Sequence, residues 1–298
     1  MLKLVMKSIP FRCIYLLFLI STTSLTPLIG QHKQEEKACF MCKADLHYHN
    51  SESPYHDFSF KKELPFLGGL AGLSAINLLI DAPTPLTEED ILGLDGQSIN
   101  SFDRYAISKN SDKAQEISDF FLTGVLVLPA IFLSNHHTRK DVIPLVVMTL
   151  EVAGLNYALT SITKKVVKRT RPLAYNPAFS LEEKTSESAR VSFFSGHTSH
   201  TTSLSFLVAK VMTDYHPDAR TGVKIGIWTF AASIPALTGY LRIRAGKHFP
   251  TDTIVGYLAG GLIGIGIPEL HKRNRKTDQK VKIQPLLGVG TASVRVTF

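Results

Sequence analysis

The sequence contains little charge, and most of that charge is positive. Asp, Glu, Lys and Arg make up 19% of its 298 residues, which is below the roughly one quarter that is usual in a soluble domain. No basic block is interleaved with aromatic residues and no nucleic-acid-binding motif is present, so nucleic acid is not an expected partner. The net charge of +8 instead favours anionic lipids or phosphorylated substrates.

Cysteine is also scarce, with three residues in the chain. Cys39 and Cys42 form a CxxC motif, and His47 and His49 follow it. Such residues can bind zinc. A small disulfide loop in an exported segment, or a pair of free thiols, is the simpler interpretation, because one CxxC with nearby histidines is a weak metal signal.

The N-terminal region has the pattern of an export signal. A positive start, an apolar run from Cys13 to Ile20 and a polar stretch make up residues 1–30, which predicts a signal peptide. An uncleaved N-terminal anchor is the competing interpretation. Residues 31–62 mix Lys, Glu, His and Ser and predict a polar arm.

Long apolar segments dominate the rest of the chain, and several approach the roughly twenty residues that a helix needs to cross a bilayer. They are Leu64–Ile80, Phe120–Ser134, Val142–Thr160, Ser203–Met212, Val223–Leu241 and Thr253–Pro268. This pattern predicts an all-α, membrane-embedded bundle of about six helices over residues 63–270. A basic linker and a short C-terminal tail, which ends in a strand-like alternation, make up residues 271–298. A soluble helical protein is the alternative, because some segments are short. Glu151 interrupts the third segment and is expected to face the bundle interior.

The first of three polar motifs is KKVVKRTRP, at the end of the third apolar segment. Lys164 and Arg171 are seven residues apart, which places them on one face if both lie on a helix. Pro172 is expected to end that helix. Two cations on one face suit a phosphate, although a basic segment that binds lipid head groups has the same composition.

The second motif, FFSGHTSH, precedes an apolar helix. Ser195 is a good N-cap, Gly196 permits close approach of a ligand to the backbone, and the free amides at a helix start bind anions. His197 would lie at the same point. An ordinary helix cap beside an incidental histidine is the simpler alternative.

The third motif, LRIRAGKHFPTDT, contains Arg242, His248 and Asp252. Pro250 fits the first turn of the following helix, and Asp252 in that turn lies close enough to accept a hydrogen bond from the His248 ring. An aspartate on one imidazole nitrogen fixes the tautomer and leaves the other nitrogen available for attack. His248 is therefore a candidate nucleophile with a phosphate-binding arginine nearby.

Together the three motifs resemble those of the type 2 phosphatidic acid phosphatase superfamily, which shares its helical core with vanadium haloperoxidases. Lysine, six residues and Arg-Pro, then Ser-Gly-His, then arginine, five residues, histidine, three residues and aspartate occur in order between Val142 and Pro268. Two positions depart from the pattern. Phe194 replaces the proline that is usual before Ser-Gly-His, and Leu241 replaces a serine before the third-motif arginine.

The resemblance implies a phosphatase that acts through a phosphohistidine. His248 would attack phosphorus, Asp252 would orient it and His197 would protonate the leaving oxygen. The expected phosphate-binding residues are Lys164, Arg171, Arg242, Ser195 and Gly196. The resemblance implies no metal and no cofactor, and the sequence has no carboxylate cluster of the two-metal type. The expected substrate is a lipid phosphate or diphosphate. A soluble exported acid phosphatase, a haloperoxidase-like enzyme and an inactive lipid-binding protein are the alternatives.

The basic loops predict the orientation in a bacterial inner membrane. Residues 135–141 and 271–282 carry basic charge but no motif residue, so they indicate the cytoplasmic side. The motifs would then face the periplasm or the exterior. A cleaved signal peptide conflicts with this orientation unless Leu64–Ile80 fails to cross the membrane.

Overall fold

The computed structural model describes residues 53–56 and 58–273, and the backbone of two strands in residues 282–297. Six long helices occur within this part of the chain and are numbered α1 to α6. They are α1 (Phe60–Leu79), α2 (Asp112–Val127), α3 (Val142–Val167), α4 (Gly196–Tyr215), α5 (Thr221–Arg244) and α6 (Pro250–Leu270). Each apolar segment of the sequence overlaps one of them, so the predicted six-helix bundle is confirmed. The predicted signal peptide and the CxxC arm lie outside the described residues.

Short helices connect the long ones. They are Glu88–Leu92, Gly96–Ser98, Ser101–Arg104, Tyr105–Ser108, Leu128–Leu133, His136–Lys140, Pro172–Tyr175, Leu181–Lys184 and Glu187–Arg190. The C-terminal tail forms an antiparallel hairpin of β1 (Lys282–Gly288) and β2 (Thr291–Thr297), in which Lys282 pairs with Thr297. The strand expected from the alternation of the last residues is therefore confirmed.

Helix α4 lies at the centre of the bundle and packs against α2, α3, α5 and α6. Its approach to α6 is close because every fourth residue of α6 at the contact is glycine. A Cβ atom on Gly256 would lie 2.7 Å from the carbonyl oxygen of Ser195, and Cβ atoms on Gly260 and Gly264 would lie even closer to carbonyl oxygens of α4. Small residues allow such backbone contact between membrane helices. The contact fixes the start of α4 against the start of α6, where two of the motifs lie.

The outer surface of the bundle is apolar. Three segments are long and apolar enough to cross a membrane, namely Asp112–Leu133, Val142–Tyr175 and Pro250–Leu270. Large apolar side chains point outward from five of the helices; Leu78, Phe120, Leu150, Phe230 and Leu262 are between 65% and 84% exposed. Contiguous exposed apolar surface of this kind suits a lipid environment. The interior is mixed, and Glu151 is 2% exposed, which confirms that it faces inward.

Two long connections fold over one end of the bundle. Residues 80–111 join α1 to α2, and residues 168–195 join α3 to α4. Hydrogen bonds tie them to each other and to the turn after α5: Asn176 donates to the carbonyl of Lys109 at 3.2 Å, and the Leu173 amide donates to the carbonyl of Gly246 at 3.0 Å. This covered end contains the three motifs.

Candidate active site

The motif residues meet at the covered end of the bundle because each occurs where a long helix begins or ends. Lys164 lies in the last turn of α3, His197 in the first turn of α4, Arg242 in the last turn of α5 and Asp252 in the first turn of α6. A Cβ atom on Gly196 would lie 3.6 Å from Lys164 Nζ, so the lysine of the first motif lies close to the backbone of the second.

The prediction that Lys164 and Arg171 share one helical face is wrong. Helix α3 ends at Val167, and Lys168 then adopts a left-handed conformation with φ of 51°. Arg171 lies beyond this break, where its amide donates to the carbonyl of Ala189 at 2.8 Å. Pro172 begins the next short helix, Pro172–Tyr175. The connection therefore turns Arg171 back toward the bundle end, and the two cations converge through the loop.

Two buried arginines give the site its positive charge. Arg171 is 8% exposed and Arg242 is 5% exposed, and neither Nε atom has a hydrogen-bond partner among the described residues. Arg242 Nη1 lies 3.2 Å from a carboxylate oxygen of Asp119. Buried guanidinium groups with unused donors are costly unless an anion binds them. Their planar donor arrays match the oxygens of a phosphoryl group.

His248 lies at the base of this cationic cluster and is 1% exposed. Gly246, with φ of 67°, makes the turn that leads to it from α5, and a side chain there would collide with Lys109 and Phe179. Burial, and next the charges of Arg171 and Arg242, lower the pKa of His248 well below its usual 6.5. The imidazole is therefore neutral at pH 7, which is the state that a nitrogen nucleophile requires.

Asp252 lies beside His248, but the hydrogen bond expected between them is not formed. The distance from Asp252 Oδ2 to His248 Nδ1 is 3.7 Å, which is longer than a hydrogen bond. The carboxylate accepts hydrogen bonds from the Phe249 amide at 2.9 Å, from Ser192 Oγ and from Arg169. His248 Nδ1 has no other partner among the described residues, so a small rotation of the ring would form the bond.

Arg169 and Asp103 hold Asp252 in place, and sequence reasoning missed both. Arg169 bridges the two carboxylates, with 2.7 Å from its Nη2 to Asp103 Oδ2, and it stacks 4.2 Å above the Phe249 ring. Asp103 also accepts a hydrogen bond from the Thr251 amide at 2.9 Å. The network anchors the first turn of α6. The one sequence signal that could have drawn attention to Arg169 was its position two residues before Arg171.

The second motif caps α4 as predicted, with one correction. Ser195 Oγ accepts a hydrogen bond from the Thr198 amide at 3.4 Å. The Ser195 amide, which was expected to bind phosphate, instead donates to the Asp252 carbonyl at 3.0 Å. It therefore joins the second motif to the third. The amides of Gly196 and His197 make no hydrogen bond within the described residues. They are the free donors at the start of α4 that can bind an anion.

Asp119 is a further site residue that sequence reasoning missed. Its Oδ1 atom lies 2.7 Å from His197 Nε2 and 3.2 Å from Arg242 Nη1. Burial and next Arg242 lower the pKa of His197 to about 4, while the hydrogen bond to Asp119 opposes this shift. A carboxylate thus contacts both the histidine and one arginine at the mouth of the site, which orients the His197 ring.

These features define a membrane-embedded helical protein with a cationic anion-binding site at one end of its bundle. The site combines a buried neutral histidine, a second histidine paired with a carboxylate, and two arginines and a lysine around them. The residues match the chemistry of phosphoryl transfer, since charge on the phosphoryl oxygens is met by fixed donors. Among the described residues, the histidine and carboxylate cluster that could hold a metal contains His56 and His271 and lies at the other end of α6.

One comparison with known proteins, the match to a protein family, agrees with this class. Residues 142–276 match the model of the PAP2 superfamily. Among solved structures, a match is the crystal structure described as the first transmembrane PAP2 type phosphatidylglycerolphosphate phosphatase from Bacillus subtilis. The two share 19% identity with a TM-score of 0.44, over 73% of this chain and 100% of that one. No curated protein matches the chain.

Proposed function

We propose that this chain is a phosphatase that hydrolyses a lipid phosphate or diphosphate through a phosphohistidine. The observation that carries the proposal is the convergence of Arg171, Arg242 and Lys164 on a buried neutral His248, whose pKa all three lower. The PAP2 superfamily match over residues 142–276 supports a phosphatase. The phosphatase domain then corresponds to residues 63–270, with the motifs between residues 142 and 268.

The first chemical step forms a bond between His248 and phosphorus. Nδ1 faces Asp252, so Nε2 attacks the phosphorus atom, and the bond from phosphorus to the leaving oxygen breaks. His197 gives its proton to that oxygen, which departs as the lipid alcohol or lipid monophosphate. Asp252 stabilises the positive charge that develops on the imidazole. The two arginines, the lysine and the free amides at the start of α4 hold the phosphoryl oxygens.

The second step regenerates the enzyme. Water attacks the phosphohistidine, the nitrogen–phosphorus bond breaks and inorganic phosphate leaves. His197, which lost its proton in the first step, accepts one from the attacking water. Each residue thus returns to its starting state, and every step uses only this chain's own side chains and water.

An apolar groove beside the site supports a lipid substrate. The groove has a volume of about 340 Å³. It runs between α5 and α6 and is lined by Thr198, Pro235, Ala236, Gly239, Tyr240, Ile243, Thr253, Ile254, Tyr257 and Leu258. Thr198 and Thr253 follow His197 and Asp252 in sequence, so the groove reaches the end of the bundle that contains the site. A lipid tail in this groove would keep its contact with the bilayer while the phosphate binds the cations.

Filling the groove tests the lipid proposal. Ala236→Trp is expected to reduce phosphate release from phosphatidate, phosphatidylglycerol phosphate or polyprenyl diphosphate by about 10-fold, because losing about 1.4 kcal/mol of tail binding has this effect. Hydrolysis of para-nitrophenyl phosphate, which has no tail, should stay within about 2-fold of the parent rate. Rates are measured in detergent micelles with a panel of these substrates.

The control is Leu237→Trp, because Leu237 is 45% exposed and does not line the groove. It should leave all rates near those of the parent. Equal losses on the lipid and on para-nitrophenyl phosphate in the Ala236 variant would argue against a tail-binding groove. Activity on para-nitrophenyl phosphate alone, with no lipid substrate hydrolysed, would favour the soluble acid phosphatase alternative.

The proposed orientation places the site on the periplasmic or outer face of a bacterial inner membrane. The motifs lie at one end of the long helices, whereas the basic helix His136–Lys140 precedes α3 and Lys272 follows α6 at the other end. Basic segments without motif residues indicate the cytoplasmic side. The lipid pool that the enzyme hydrolyses is then the outer one.

Cysteine labelling tests this orientation. In a background in which Cys13, Cys39 and Cys42 are serine, Pro177→Cys should react with a membrane-impermeant maleimide in intact spheroplasts. Lys140→Cys should react only after permeabilisation. Both positions are exposed in the structure, so accessibility to solvent does not separate them. The reverse pattern would place the catalytic end in the cytoplasm.

A further inference from the structure

A second buried polar cluster lies at the opposite end of the bundle from the phosphate site. It consists of His56, which precedes α1, Glu63 in α1, Glu151 in α3 and His271, which follows α6. Glu63, Glu151 and His271 are 3%, 2% and 7% exposed. None of them belongs to a motif, and the proposed phosphatase chemistry does not use them. We name these four residues the His2Glu2 cluster.

The donor atoms of three of these residues converge on one point, and Glu151 contacts the same histidine nitrogen. His271 Nε2 lies 3.0 Å from Glu63 Oε2 and 3.1 Å from Glu151 Oε2. Glu63 Oε1 lies 3.9 Å from His56 Nδ1, and one donor atom each of His56, Glu63 and His271 falls within 4.8 Å of the others. Two ligands of a tetrahedral Zn²⁺ ion, each at about 2.0–2.1 Å, are roughly 3.3 Å apart. The spacing of His56, Glu63 and His271 therefore fits a shared ion, and Glu151, which already lies beside His271 Nε2, would join it after a side-chain rotation.

The tautomer of His271 favours a cation at this point. Its Nδ1 atom lies 2.9 Å from the carbonyl oxygen of Ile267, which can only accept a hydrogen bond, so Nδ1 carries a proton. In the neutral ring, Nε2 then presents a lone pair to two carboxylates. Metal-binding histidines almost always donate their second N–H to a carbonyl or carboxylate in this way. A proton on Nε2, which Glu63 Oε2 would accept at 3.0 Å, is the alternative.

The surroundings of the Glu151 carboxylate distinguish a bound cation from a proton on His271 Nε2. This carboxylate is 2% exposed, and neither of its oxygens has a hydrogen-bond partner among the described residues. Its contact with His271 Nε2 at 3.1 Å is therefore not an aligned hydrogen bond, whereas the Glu63 contact with the same nitrogen is one. A proton on Nε2 places one positive charge between two buried carboxylates, so one negative charge stays unbalanced, which is costly. A divalent ion compensates both carboxylates.

We propose that the His2Glu2 cluster binds one divalent transition metal ion of the Zn²⁺ type. Two imidazoles and two carboxylates are ligands that Zn²⁺ accepts, and four protein ligands with no open position are typical of a structural site. The ion would fasten the segment before α1 to the end of α6, where the amide of His56 already donates to the carbonyl of His271 at 3.1 Å. Its role is to hold this end of the bundle together.

The test measures bound metal in the full-length protein, purified without a polyhistidine tag. Because Cys39 and Cys42 could also bind zinc, both are replaced by serine in every sample. After incubation with Zn²⁺ and desalting, the parent should hold about one Zn²⁺ per chain by mass spectrometry, as expected for a single structural site. Glu151→Gln and His271→Gln should each hold at least about 10-fold less, because each removes one of the four ligands. EDTA should lower the melting temperature of the parent but not of these variants.

His216→Gln is the matched control. Its Nδ1 atom also lies 2.8 Å from a carbonyl one helical turn back, that of Met212, but its Nε2 atom faces the side-chain amide of Asn135 at 3.2 Å. This variant should bind Zn²⁺ as the parent does. A second readout needs no variant: Co²⁺ added to the parent should give the intense visible absorption of a four-coordinate site.

These measurements distinguish a metal-bound cluster from a proton-bridged one. A parent without Zn²⁺, without the Co²⁺ spectrum and without a response to EDTA overturns the proposal and leaves a proton-bridged cluster. Zn²⁺ retained at the parent level in Glu151→Gln places the metal elsewhere and overturns it equally. Phosphate release by each variant reports independently on the catalytic end, so failure of the metal proposal is distinguishable from failure of the proposed function.

Discussion

Replacing His248 with alanine should reduce phosphate release at least about 1,000-fold, because loss of a covalent nucleophile removes the whole two-step pathway. The residue is buried and neutral beneath Arg171 and Arg242, so water that enters the space left by the ring would lack its fixed position. The measurement is release of inorganic phosphate from a lipid phosphate under saturating conditions, with the melting temperature recorded to show that the variant folds.

The intermediate gives a second, direct readout of the same prediction. Parent enzyme that is denatured with base during turnover should carry acid-labile phosphate on the peptide that contains His248, and the alanine variant should carry none. His216→Gln, which lies outside the site, should label as the parent does. Labelled phosphate on another residue, or full activity in His248→Ala, would remove this histidine from the nucleophile role.

The low pKa of His248 sets the acid side of the rate profile. Burial, followed by the neighbouring cations, disfavours the imidazolium, so the pKa lies well below 6.5. In the free enzyme the nucleophile is therefore neutral at every pH above that depressed value, so its protonation should not reduce kcat/KM until the pH falls well below 6.5. A bound phosphate dianion would offset part of the cationic charge and raise this pKa.

The sequence predicted which residues meet, because three short motifs each lie at the end of an apolar helix. Helix ends can be located from the sequence, since Ser195 caps α4 and Pro250 begins α6 as their residue types require. The path of the chain between one helix end and the next was not predictable in the same way. Lys164 and Arg171 were assigned to one helix, but the left-handed Lys168 ends that helix first.

Single carboxylates far away in sequence were missed altogether. Asp119 is 78 residues from His197 and Asp103 is 66 residues from Arg169, and neither belongs to a pattern with a recognisable spacing. The pair Glu63 and His271 is separated by 208 residues. Such contacts depend on how the helices pack, which is set by features such as the glycines of α6 that lie against α4. Local sequence carries the motif chemistry, and the bundle supplies the charged partners.

Asp119 contacts His197, the proposed general acid, and therefore affects the result expected when His197 is replaced. Its carboxylate lies 2.7 Å from His197 Nε2, and it favours the protonated ring against burial and Arg242, which together lower the pKa of His197 to about 4. In the free site the ring is thus mostly neutral at pH 7. A phosphate dianion beside the ring would raise this pKa. The ring would then be protonated and could give the leaving oxygen its proton.

His197→Ala should therefore reduce hydrolysis of lipid phosphates by about 100- to 10,000-fold, the usual contribution of a general acid–base residue. The loss should be much smaller, about 10-fold, in the first step with para-nitrophenyl phosphate, because that leaving group departs without a proton and needs no general acid. The first step is followed by the burst of para-nitrophenol, while the steady-state rate also reports the second step, in which His197 activates water. Asp119→Asn should show the same dependence on the leaving group with a smaller loss. Equal losses of the burst rate and of the lipid rate in His197→Ala would mean that the ring binds phosphate and does not transfer the proton.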